Sequence, residues 1–68
     1  MKLKIDRETD TLYLRLDDTA IVESEEVKPG VVVDFDVENR VVGVEFLGIS
    51  KRVAEEKLRT FLFESNLT

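Results

Sequence analysis

The chain reads as an α+β domain, a mainly antiparallel sheet of about five strands followed by one C-terminal helix packed on the sheet. Three observations carry this. Apolar and polar residues alternate with period two as far as about residue 50, Gly48 breaks that pattern, and Ala54, Leu58, Phe61, Leu62 and Ser65 then recur at helical spacing. A helix laid over the apolar face of an antiparallel sheet is a standard two-layer solution.

Each element has its own signal. Leu3 and Ile5 share one face of a strand over about 2–6, with Lys2, Lys4 and Asp6 on the other. The run Leu12-Tyr13-Leu14-Arg15-Leu16 turns three leucines inward and Tyr13 and Arg15 outward, so a strand over about 12–16 forms a hairpin with the first. Asp17-Asp18-Thr19 leads into a poorer strand over about 20–27, whose Glu23, Glu25 and Glu26 suit a sheet edge that must be protected from other chains. Pro29-Gly30 ends it. Strands over about 31–36 and 41–47 follow. A turn at Glu38-Asn39 aligns Val31, Val33 and Phe35 with Val42, Val44 and Phe46 on one face, and a one-residue slip would turn one set outward. Asn39 tolerates the left-handed conformation such turns require. The opposite face collects Asp34, Asp36 and Glu45. Ser50 is the expected cap of a helix over about 51–64.

Sixty-eight residues make a single domain of this size, 1–68, able to bury only about 60 % of the surface its unfolded chain exposes. With no Cys and no His, disulfides and ordinary structural zinc sites are excluded as supports, which leaves good packing or self-association. A hydrophobic fraction of 43 % is enough for a core. Fifteen acidic against ten basic residues give a net charge of −5, which disfavours nucleic acid and anionic lipid and favours a basic protein partner. The amino terminus alternates charged and apolar residues where a signal peptide needs a continuous apolar stretch, and no segment approaches the roughly 20 apolar residues of a membrane span. The expected compartment is the cytoplasm.

The segments Met1-Lys2-Leu3-Lys4-Ile5-Asp6, Asp10-Thr11-Leu12-Tyr13-Leu14-Arg15-Leu16 and, above all, Glu25-Glu26-Val27-Lys28-Pro29-Gly30-Val31-Val32-Val33-Asp34-Phe35-Asp36 leading into Val41-Val42-Gly43-Val44-Glu45-Phe46-Leu47 resemble a family of short bacterial and archaeal proteins catalogued as domain of unknown function 2283. The resemblance spans about residues 1 to 52. Asn39 stands where members commonly carry Gly, and Gly48 where many have Asp. No activity comes with the resemblance. Some members are encoded beside small proteins that look like ribonuclease toxins, which implies an antitoxin role.

The residues themselves offer few routes to chemistry. Without His or Cys the usual nucleophile–base pairs are missing. Asp34 and Asp36, two apart on one strand and so roughly 7 Å apart on one face, have a spacing compatible with acid–base work on a sugar; alternating acids are also what the solvent face of any soluble sheet shows. Asp34, Asp36, Glu38 and Glu45 fall at positions 1, 3, 5 and 12 of an EF-hand loop, but strands rather than helices flank them and Asn39 replaces the glycine of the sixth position. Lys51-Arg52 would stand in the first turn of the expected helix, where positive charge opposes the dipole unless it meets an anion; Lys2, Lys4 and Arg15 could extend such a patch. Phe61, Phe63 and Leu67 exceed what one helical stripe can bury and form a candidate interface. The reading is a non-enzymatic protein-interaction module, a homodimer that binds a basic partner such as a ribonuclease-like toxin, with no catalytic, cofactor or metal residue assigned. The alternative is a small hydrolase or metal-binding protein using Asp34, Asp36 and Glu45.

Overall fold

The computed structural model describes residues 1–64, with side chains described as far as residue 61. Five strands form one antiparallel sheet: β1 (Lys2–Asp6), β2 (Thr11–Arg15), β3 (Glu23–Lys28), β4 (Val31–Phe35) and β5 (Val41–Leu47), in the order β1-β2-β5-β4-β3. Two short helices follow, α1 (Ile49–Arg52) and α2 (Glu55–Glu64). The last strand is therefore central, slotted between the two hairpins.

Register follows the apolar pattern. One row across the sheet reads Leu3, Leu14, Val44 and Val33, and the next Ile5, Leu12, Phe46 and Val31, so the alternating residues of four strands share one face. The Pro29-Gly30 turn joins Lys28 to Val31, with Gly30 at φ +78 as the third residue of a Pro-Gly turn requires.

Three expectations need correction. The third strand begins at Glu23 rather than Ala20, because the Arg15 guanidinium gathers the carbonyls of Asp17 (Nε to O, 2.5 Å) and Thr19, holding that segment as a loop at the end of the sheet. The turn of the second hairpin is centred on Val37-Glu38 instead of Glu38-Asn39. Asn39 N–H donates to the Asp36 carbonyl at 2.9 Å and Asn39 follows at φ 64, the arrangement of a three-residue hairpin loop ending in a left-handed residue. The left-handed role given to Asn39 holds, but the extra residue is absorbed by a bulge: Phe35 pairs with Val41, and Val42 is left over as a buried side chain, 2 % exposed.

The third correction is the helix, which is two. Val53 is extended (φ −137, ψ 134) and separates α1 from α2. Ser50 lies inside α1, and Asp10 from the first hairpin serves that end: its carbonyl accepts Ile49 N–H at 3.0 Å, and its carboxylate accepts Ser50 N–H at 3.1 Å and Ser50 Oγ–H at 2.7 Å. Lys51 and Arg52 therefore stand in the last turn of α1, where positive charge suits the dipole, and no anion is needed to explain them. Arg52 donates to the carbonyls of Pro29 (2.7 Å) and Leu47 (3.2 Å), tying the β3–β4 turn to the end of β5; a Cβ at Gly30 would lie 2.6 Å from its guanidinium.

Among the described residues the buried apolar side chains are Val42, Ile49 and Leu58. Ile5, Ile49, Val53 and Leu58 line one cavity of about 280 Å³, so α2 meets the sheet at the Ile5 corner. Because Arg52 joins two elements through solvent-exposed hydrogen bonds, Arg52→Ala should lower stability by about 1 kcal/mol, read as a fall in the urea midpoint. An unchanged midpoint would show that the turn holds its position without the clamp.

Candidate functional site: a polar string across the sheet

The face opposite the apolar rows carries Asp34 and Glu45, and there side chains from three strands meet. Gly43 in β5 is flanked by Arg15 in β2 and Asp34 in β4, and Ser24 in β3 is opposite Asp34. Tyr13, one pair further along β2, leans across the glycine. Its hydroxyl donates to Asp34 Oδ2 at 2.8 Å, Ser24 Oγ donates to Asp34 Oδ1 at 2.6 Å, and Arg15 Nη1 donates to the Tyr13 oxygen at 3.4 Å. A Cβ on Gly43 would lie 2.5 Å from the Tyr13 oxygen and 2.9 Å from Asp34 Oδ2. Glycine is therefore required by the crossing side chain, since the backbone there is ordinary strand.

Asp36 is a second hub, only 3 % exposed. Its Oδ1 accepts the backbone N–H groups of Arg40 (2.9 Å) and Glu38 (3.0 Å), and its Oδ2 accepts Arg40 Nε at 3.0 Å. The Arg40 backbone N–H, aided by the Arg40 guanidinium and the Glu38 N–H and opposed by burial, holds the Asp36 carboxyl below its ordinary value of 3.8. The carboxylate thus pins the turn that closes the second hairpin, much as Asp6 Oδ1 does in the first by accepting Glu8 and Thr9 N–H.

The structure brings Asp34 and Asp36 into the sheet as buried acceptors, each with its oxygens occupied. Glu45 is level with Tyr13 and Val32, one row away from Asp34. Glu38 is at the hairpin tip, paired with Arg40 at 3.0 Å. Among the described residues no three His, Cys, Asp or Glu come together in a way that could hold a metal ion, and no buried side-chain oxygen or nitrogen lacks a partner. To take a proton from a substrate, a carboxylate so bonded would first have to give up the hydrogen bonds it accepts within the fold.

The remaining candidates separate. Lys2 is opposite Arg15 and Lys4 opposite Tyr13, so they do share a face, but the Arg15 guanidinium is committed to Asp17, Thr19 and Tyr13. Phe61 is 47 % exposed on α2; the side chain of Phe63, and Leu67 altogether, lie outside the described residues. Tyr13, read from alternation as simply outward, and Ser24 are the members the sequence reading missed. Their signal was the glycine within the β5 valine run, which marks a close approach. No helix among the described residues is long and apolar enough to cross a membrane.

The family model described as protein of unknown function (DUF2283) matches residues 2–50, taking in all five strands and ending within α1. No curated protein and no solved structure matches the chain.

Because the native fold lowers the Asp36 pKa, the ionised carboxylate stabilises the protein fully above its ordinary value of 3.8 and loses that contribution as pH falls through the depressed native value. Asp36→Asn should therefore be less stable than the wild type at pH 7, with the gap in urea midpoint narrowing below about pH 4. A gap of constant size from pH 7 to pH 2 would contradict this role.

Proposed function

The chain belongs to the DUF2283 family, and on that footing we propose that it is a non-enzymatic protein-interaction module of the cytoplasm, an antitoxin-like binder of a basic protein such as a ribonuclease-like toxin. One observation carries the reading. The carboxylates best placed for chemistry, Asp34 and Asp36, are spent on internal hydrogen bonds, whereas the acids of β3, Glu23, Glu25 and Glu26, stand on an outer strand whose six residues are all exposed. Buried and satisfied acids serve the fold; exposed acids on an open edge are available to a partner. A net charge of −5 attracts a basic surface over distances comparable with the Debye length, and the β3 edge also offers unpaired backbone groups for strand addition.

The alternative, a small hydrolase or metal-binding protein using Asp34, Asp36 and Glu45, draws less support from the geometry, since using Asp34 as a base would break its bonds to Tyr13 and Ser24.

Affinity capture from native cells under gentle conditions, followed by purification of the partner, tests the proposal. The captured protein should be basic, and its association rate should fall at least about tenfold between low and physiological salt while dissociation changes less. Glu23→Lys combined with Glu26→Lys should slow association further. An acidic partner, or binding indifferent to salt and to both substitutions, would overturn the reading.

A further inference from the structure

The two ends of the sheet differ in what they expose. The end marked by the pair Asp6 and Thr11 carries the Pro29-Gly30 turn and α1, and α2 meets the sheet at the Ile5 corner. At the other end, Leu16 N–H donates to the Val42 carbonyl, Val22 N–H donates to the Phe35 carbonyl, and Phe35 pairs with Val41. Register therefore gathers there the 17–22 loop, the hairpin tip at Val37-Glu38 and the start of β5. Leu16, Ile21, Val22, Val37 and Val41 are exposed at this end, half of the large apolar residues exposed among those described. Val22 is 62 % and Val37 83 % exposed, although loops and turn tips favour Gly, Pro, Asn, Asp and Ser. Neither side chain serves the turn, which is set by the Asp36 carboxylate and the left-handed Asn39. Departures of this kind from local preference collect at functional surfaces.

We propose that the basic protein partner, on whose existence this inference rests, docks on this end of the sheet, with Val22 and Val37 as apolar anchors beside the acids Asp17, Asp18 and Glu23. Charge selects the occupant. Among the described residues none of these three acids is in an ion pair. The two arginines of that end are engaged within the chain, Arg15 on the carbonyls of Asp17 and Thr19, Arg40 on the carboxylates of Asp36 and Glu38. Lys2 lies on β1, at the far edge of the sheet from β3. The acids repel an anionic membrane, and a second copy docking by the same end would set acid against acid. A protein surface whose apolar side chains are ringed by Lys and Arg meets both requirements, the apolar contact slowing dissociation and the charges speeding encounter.

In capture from native cells with the full chain as bait, Val22→Ser combined with Val37→Ser should retain the basic protein at least about tenfold less well than the wild type. Phe61→Ala, also at an exposed apolar residue but on α2, one turn after Leu58, should retain it as the wild type does. An unchanged urea midpoint for the double variant separates lost binding from lost folding. Should that variant fail to fold, crosslinking decides: a photoreactive phenylalanine analogue at position 37 should join the basic protein, and the same analogue at position 61 should not. If the folded double variant holds a basic protein as firmly as the wild type, the docking surface is refuted while the basic partner stands. If no basic protein is captured, both fall. A crosslink from position 37 to a second copy, or to residues 62–68 of the same chain, would also overturn the proposal.

Discussion

The absence of a side chain at Gly43 is the constraint on which the polar face depends. It leaves the space through which Tyr13 crosses from β2 to reach Asp34 in β4, and Asp34 is also the acceptor for Ser24 in β3. A strand pair is held by its ladder, but side-chain bonds that skip a strand couple elements the ladder does not join. Tyr13 and Asp34 do so across β5, which makes the sheet's order, with its last strand in the middle, more than a sum of neighbouring hairpins. Arg15 extends the same string to the Asp17–Thr19 loop that carries the chain over the end of the sheet towards β3.

That string bears directly on what the carboxylates do. A buried aspartate with both oxygens bonded stabilises one arrangement of strands, and the cost of releasing it is the desolvation of a group left without partners. Asp36 is committed in the same manner to its turn. The acids that meet solvent are elsewhere, on β3, in the loops and on α2, and the difference in environment, rather than residue type, divides structural from available charge. The apolar side of the sheet is the counterpart, patterned in continuous rows across four strands. Function in so small a domain is therefore sought in surfaces, the acidic edge first, rather than in a cleft.

Much of the fold was legible in the sequence because strand periodicity is strict. Val31, Val33, Val44 and Phe46 face one way for the reason that period two allows no alternative, and the register Val31↔Phe46 and Val33↔Val44 followed from it. What periodicity could not supply was the local chemistry at the ends of elements. The bulge at Val42 arises because the Asp36 carboxylate draws the Glu38 and Arg40 N–H groups into a three-residue loop, a competition invisible in hydrophobicity. The helix break at Val53 comes straight after Arg52, which donates to the Leu47 carbonyl and to that of Pro29, 23 residues upstream, while Asp10 caps α1 from forty positions upstream. The polar string was partly legible: a glycine in the middle of a valine-rich central strand is a packing signal, although only the pairing of β2 with β5 shows that Tyr13 is the residue it admits.

The claim that Gly43 exists to admit the Tyr13 hydroxyl is tested most directly by a double-mutant cycle on stability. Gly43→Ala alone should cost about 1–3 kcal/mol through the clash its methyl meets, and Tyr13→Phe alone about 1–2 kcal/mol through the bond lost to Asp34. Combined, they should cost clearly less than the two together, because removing the hydroxyl removes the atom that would lie 2.5 Å from the new Cβ. Costs that add to within about 0.5 kcal/mol would mean that glycine and tyrosine act separately, and would contradict the account.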